Sequence, residues 1–202
     1  MRIGILGSGA VGQALTRGLT RHGHEVRIGT RRDAVEDLPV GTPAEVVADA
    51  ELVFLSVLGQ AAVEVASGVR EQLAGKVLVD TTNPLDFSSG APSLFVGHTD
   101  SLGEQVQRAV PEGRVVKAYN TVGNTLMVDP DLPGGPPSML ICGDSDEAKA
   151  VVTDLLVSTG WDVVDLGGIS ASRYLEPMCL AWVLHGLRSG SWQHAFRLLR
   201  SP

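Results

Sequence analysis

The chain has 202 residues, enough for one substantial core, and its 44% hydrophobic and 19% charged residues exclude a disordered protein. A formal net charge of −7 with no basic stripe argues against a nucleic-acid partner, because the chain as a whole repels a polyanion. No apolar run is long enough to span a bilayer, and Met1-Arg2 leads into a glycine-broken strand rather than a leader peptide, so a cytoplasmic protein without a membrane partner is expected.

Residues 2–6 form a short apolar run that predicts a buried strand. Residues 9–21 predict a helix with Val11, Leu15 and Leu19 spaced by four. His22-Gly23-His24 ends it, and residues 25–29 predict a second strand, with a weak strand near Val40. Thr42-Pro43-Ala44-Glu45 has the spacing of a capping box with proline in the first turn, and so marks a helix start. Residues 52–57 predict an apolar strand, 60–73 a helix ended at Gly75, and 76–80 another strand.

Residues 85–100, rich in Ser, Gly and Pro, predict a loop. A helix follows over 102–110 and a strand over 115–119. After the turn-rich 129–137 stretch come a strand over 138–142, a helix opened by Asp144-Ser145-Asp146-Glu147 and a strand over 161–165. Residues 170–187 predict a long apolar helix interrupted by Pro177, and the tail after Gly190 is expected to be helical. Strands alternating with helices imply a doubly wound α/β fold with a mainly parallel sheet and a small C-terminal helical portion.

Gly7-Ser8-Gly9-Ala10-Val11-Gly12 is a G-x-G-x-x-G between a strand and a helix. Gly7 permits the tight turn, Gly9 lets a pyrophosphate approach the backbone, and Gly12 lets the helix pack close to the strand. The helix N-terminus then offers N–H groups to the phosphates. This is the dinucleotide-binding fingerprint of a Rossmann-type domain.

The end of the second strand selects the dinucleotide. An NAD site carries an acid there for the ribose 2′-OH, whereas this chain has Thr30-Arg31-Arg32. A carboxylate would repel a 2′-phosphate and two guanidinium groups attract it, so NADP(H) is the expected cofactor. Ser56, Val57 and Asn83 lie at the carboxyl ends of the next strands, where open α/β sheets bind ligands, and are expected to touch the ribose or nicotinamide.

Ala118 and Asn120 close the strand over 115–119 and are further expected cofactor contacts. Asn120 is the candidate nearest the nicotinamide, although it is a poor proton donor. Lys117 is expected to lay its stem along the sheet and reach solvent with its amine. Lys117 or Tyr119 would supply the proton in an imine or small-carbonyl reductase. Ser170, Ser172 and Arg173 open the last helix, whose end either faces a second ligand or is capped by Ser170. The five histidines are scattered, and Cys142 and Cys179 fit no metal spacing. Buried thiols and no metal site are therefore expected.

The segments Gly29-Thr30-Arg31-Arg32, Thr81-Thr82-Asn83-Pro84, Val115 to Thr121, Ile141-Cys142-Gly143-Asp144 and Asp165 to Arg173 occur in this order. Together they resemble the NADPH-dependent F420 reductase (F420H2:NADP oxidoreductase) family, whose module also forms the reductase domain of the STEAP metalloreductases. The resemblance covers about residues 1–185. It implies an NADP-binding domain over 1–168, with NADP(H) held by Gly7 to Gly12 and by Thr30, Arg31 and Arg32. It implies a C-terminal helical extension over 169–202 on the second-ligand side, with a possible dimer contact.

The resemblance further implies a small-molecule electron carrier as partner, F420 or a flavin (FMN or FAD), lying against the nicotinamide, and a homodimer. The chain departs from the archaeal members at Asn120, where they carry His, and at Pro177 and Cys179 near the deazaflavin. Two alternatives stay open: an NADP(H)-binding sensor without turnover, and the imine or small-carbonyl reductase.

Overall fold

In the computed structural model, which describes residues 1–201, the first apolar run forms strand β1 (Arg2–Leu6), and the glycine loop turns directly into helix α1 (Ala10–Arg21). β2 (Glu25–Gly29) lies parallel beside β1, and β3 is the two-residue Val40–Gly41. α2 (Pro43–Asp49) starts on the capping box. The Glu45 N–H donates to the Thr42 hydroxyl, and the Thr42 N–H donates to the Glu45 carboxylate.

β4 (Leu52–Leu55), α3 (Gly59–Ser67) and β5 (Val77–Asp80) follow. A short antiparallel hairpin, β6 (Leu85–Asp86) and β7 (Ser93–Leu94), stands within the expected loop. Next come α4 (Leu102–Ala109), β8 (Arg114–Lys117), β9 (Ser138–Ile141), α5 (Asp146–Ser158), β10 (Asp162–Asp165) and α6 (Ser172–Ser189).

Six strands pair parallel in the order β3-β2-β1-β4-β5-β8. The chain winds one way from β1 through β3 and the other way from β4 through β8. This is the doubly wound Rossmann order, and its ligand crevice lies where β1 and β4 diverge. Lys117 and Cys142 exchange backbone hydrogen bonds in an antiparallel bridge, which attaches β9, and β10 pairs parallel with β9.

Alternate strand residues face opposite sides, so the sheet fills two cores. Ile5, Ile28, Phe54 and Val79 meet Leu15 and Leu19 of α1 and Val152 and Leu155 of α5. Leu6, Val53, Leu55 and Leu78 meet Val47 of α2, Ala62 and Ala66 of α3 and Val106 of α4.

Besides the hairpin, three elements differ from the sequence reading. α3 stops at Ser67, and the chain continues to Leu73 through turns such as Val69 N–H to Ala66 C=O, because Gly68 weakens the helix there. α6 is not interrupted at Pro177. The proline sits in the second turn, where it removes a single N–H that would otherwise reach Arg173, and the helix runs on to Ser189.

The tail is not helical. Gly190 takes φ +68° and ends α6 in the left-handed region, after which residues 191–201 run without regular structure. They are nonetheless tied down. The Trp182 indole N–H donates to the His194 carbonyl, and the Ser138 N–H donates to the Phe196 carbonyl. Pro202 lies outside the described residues. No helix among those described is long and apolar enough to cross a membrane.

Candidate functional site

The glycine loop leaves β1 under tight steric constraint. Gly7 has φ +121°, and a Cβ there would lie 2.4 Å from the Ser56 carbonyl oxygen. A Cβ on Gly12 would meet the Gly7 carbonyl oxygen and the Ile5 side chain. Gly9 is different: a Cβ there meets nothing within 4 Å, so it borders open space. The Gln13 amide donates to the Ser8 carbonyl and fixes the loop from the helix side.

α2, α4 and α5 are capped by the hydroxyls of Thr42, Ser101 and Ser145. The residues at the N-cap of α1 and α3, Gly9 and Leu58, give no side-chain cap, and neither helix has an acid in its first turn. Both uncapped N-termini open onto the crevice side of β1 and β4, where their free N–H groups and partial positive charge suit phosphate.

Two adjoining clefts share Val57. The first, of about 480 Å³, is lined by Gly7, Ser8, Thr30, Arg31 and Arg32 together with Ala61, Glu64 and Val65 of α3 and Gly68 and Val69 just beyond it. The Thr30 hydroxyl donates to the Ser8 hydroxyl at 3.3 Å, and it accepts from the Arg32 N–H, so the end of β2 is pinned to the glycine loop. Arg31 and Arg32 are exposed, and neither guanidinium has an ion-pair partner among the described residues. By contrast, Arg17 of α1 pairs with Glu36 and Asp37 and holds the loop that follows.

The second cleft, of about 420 Å³, is lined by Val11, Ser56, Val57, Thr82, Asn83 and the apolar Leu58, Leu85 and Phe87, among others. Its lining holds no acid, no base and no thiol. Ser56 and Thr81 stand side by side at its floor, where the Thr81 hydroxyl donates to the Leu55 carbonyl.

Ala118 and Asn120 stand behind this wall, fully buried and 3% exposed, respectively. The Asn83 amide donates to the Asn120 carbonyl at 2.8 Å. The Asn120 amide donates to Asn83 Oδ1 at 3.1 Å and to the Leu175 carbonyl at 2.9 Å. These acceptors fix the orientation of the Asn120 amide and leave its Oδ1 buried, with no partner among the described residues.

Lys117 does not reach solvent. It is fully buried, with Nζ 2.8 Å from Asp80 Oδ2 and 2.8 Å from Glu176 Oε1. Asp80 is its register partner on the neighbouring strand, and together the two carboxylates compensate the buried ammonium. Burial works to lower the lysine pKa, but Asp80 and Glu176 outweigh it and hold the ammonium form.

Sequence reasoning missed Asp80 and Glu176. The available signal was two neighbouring strands, Val77–Asp80 and Arg114–Lys117, ending in opposite charges.

Tyr119 is likewise withdrawn from the cleft. Its ring packs at 5.7 Å from Phe54 in the core, and burial pushes its phenol above the ordinary range. Neither candidate proton donor therefore faces the second cleft. The last helix also turns its N-terminus inward. Ser172 is buried with its hydroxyl 3.3 Å from Cys142 Sγ, and Arg173 makes a two-pronged contact with Glu104. Ser170 does not cap α6, because a single 3-10 turn (Ile169–Ala171) precedes it. Burial raises the thiols of Cys142 and Cys179 to about 11 and about 12, so both behave as small buried hydrophobes.

Residues 2–84 match the family described as NADP oxidoreductase, coenzyme F420-dependent. An F420-dependent NADP reductase of Methanothermobacter marburgensis is 30% identical over 200 residues, covering 87% of this chain and 88% of the relative. The rat metalloreductase STEAP3 is 31% identical over 186 residues; the match takes in 89% of this chain but only 36% of the metalloreductase. A crystal structure of a candidate F420-dependent NADP-reductase from Arthrobacter sp. FB24 is 40% identical. It superposes with a TM-score of 0.93, covering 99% of this chain and 100% of the other.

Proposed function

We propose that this chain, which belongs to the family of coenzyme F420-dependent NADP oxidoreductases, moves a hydride between NADP(H) and a deazaflavin or flavin. One observation carries the reading: a cleft with unpaired arginines and an uncapped helix N-terminus runs into a second cleft with no titratable lining. The first suits a 2′-phosphate and a pyrophosphate. The second suits two stacked rings, because such a transfer needs positioning and exclusion of water more than a proton donor.

In this reading Arg31, Arg32 and Thr30 take the 2′-phosphate. The N–H groups of the segment from Gly9 to Gly12 take the pyrophosphate. Ser8, Ala10 and Val11 shape the loop, and Ser56, Val57 and Asn83 line the path to the ring. Asn120 and Ala118 support that wall from behind. When bound, NADPH supplies the hydride from its nicotinamide ring. The buried positions of Lys117 and Tyr119 speak against an imine or small-carbonyl reductase that would use either as proton donor.

The remaining assignments belong to the same proposal. Residues 1–168 form the NADP-binding unit and 169–202 the side that meets the second ligand. The exposed Tyr174, Leu184 and Leu187 of α6 make a pairing face for a cytoplasmic homodimer.

The test is absorbance at the nicotinamide band with purified protein and NADPH, adding F420, FMN and FAD in turn. Oxidation with one of them is expected. Silence with all three, with NADPH binding demonstrated, would replace the enzyme with a binding protein that does not turn over.

A further inference from the structure

Two buried paths tie the wall of the second cleft to α6. On one, Asp80 Oδ1 accepts from the Thr82 N–H at 2.9 Å and hydroxyl at 2.7 Å, while Oδ2 receives Lys117, which also contacts Glu176. On the other, Asn83 binds Asn120, which donates to the Leu175 carbonyl. Both begin in the loop after β5, cross the end of β8 and finish at adjacent residues of α6. Glu176 is held in turn by the N–H groups of Leu102 and Gly103 at the start of α4, at 3.0 and 2.9 Å. None of these residues lines the first cleft.

We propose that Glu176, acting through Lys117 and Asp80, is a positioning residue for the nicotinamide half of the site and not for the adenosine half. The inference rests on the NADP reading above. Asp80, Lys117 and Glu176 are each no more than 1% exposed, so a shift of any one leaves a charge uncompensated in the interior. The triad therefore holds Thr82, a cleft residue, in a single place. Glu176→Gln removes one of the two negative charges and leaves a matched Lys117–Asp80 pair; the Gln oxygen can keep Lys117 and the Gly103 N–H, while its amide nitrogen takes the place of the oxygen that accepts from the Leu102 N–H. The substitution also frees Lys117 to swing toward Asp80 and relaxes that carboxylate's grip on Thr82.

The experiment is calorimetric titration of wild type and E176Q with two probes: NADPH, and adenosine 2′,5′-bisphosphate, which carries only the adenosine 2′-phosphate half. The bisphosphate should bind both proteins within about twofold, while NADPH binding weakens at least about fivefold in the variant. A purely structural role would lower the melting temperature without separating the probes. Equal shifts for the two, or no shift for either, would overturn the proposal. Should E176Q fail to fold, Glu176→Asp, which keeps the charge but draws the carboxylate back from Lys117, must give the same split. A wild type that binds neither probe removes the NADP reading and this role together. A wild type that binds both, with no split in the variants, removes this role alone.

Discussion

A Cβ on Gly12 would stand 2.1 Å from the carbonyl oxygen of Gly7. Neither partner can yield, since one is backbone in the first turn of α1 and the other follows directly on β1. Gly12→Ala should therefore destabilise the protein by about 2 kcal/mol or more, measured by urea unfolding. Gly9→Ala is the complementary case. Its methyl meets no protein atom, so stability should fall by less than about 1 kcal/mol, while NADPH binding weakens at least about tenfold because the methyl occupies phosphate space. Equal effects of the two on binding and stability would contradict these roles.

Arg31 and Arg32 are exposed and without an ion-pair partner among the described residues, so replacing both by Ala should leave the melting temperature nearly unchanged. NADPH affinity should fall about tenfold to a hundredfold, with NADH affinity unaltered. The preference for NADPH should also shrink as salt rises in wild type but not in the double variant. A variant that still favours NADPH would move the 2′-phosphate elsewhere.

Most of the fold was legible because its signals are local. Thr42, Pro43 and Glu45 carry the start of α2 within four residues, and the glycine loop carries its own turn. Where distant partners decide the outcome, the local signal misleads. Nothing next to Lys117 announces that Asp80 and Glu176 will meet it. The reading of a solvent-reaching amine weighed the stem alone and could not see the carboxylates that the topology supplies. Pro177 likewise suggested a break, yet packing of Leu175, Cys179 and Trp182 carries the helix through. The tail's helical propensity lost to Gly190 and to Trp192, whose ring covers Gly186 and Trp182.

Lys117→Met should be far more damaging than Glu176→Gln. It leaves two carboxylates buried against each other with no cation, which costs about 3–5 kcal/mol. Denaturant unfolding of both variants gives the comparison. Similar midpoints would mean that the triad's charges are already screened in the folded protein.

Acid stability should respond to Asp100. Hydrogen bonds from Arg108 lead in holding its carboxyl at about 2, below its ordinary value of 3.8, and Gln105 adds to them. A depressed folded value contributes stability that is fully present above 3.8 and is lost as pH falls through about 2. The pair is partly exposed, so the contribution stays below about 1 kcal/mol. Asp100→Asn should flatten the acid limb of a melting-temperature profile between those values and leave the neutral region lower by a small, constant amount. An unchanged acid limb would show that other carboxylates dominate it.

The sheet order also sets a timetable. The segments of all six parallel strands have been synthesised once the ribosome has delivered Lys117, and the glycine loop, Arg31 and Arg32 well before that. The helix carrying Glu176 emerges much later. Until then the second carboxylate that meets Lys117 in the folded chain has not been made. On the proposed function, synthesis therefore completes the segments assigned to phosphate before it makes the helix that carries Glu176.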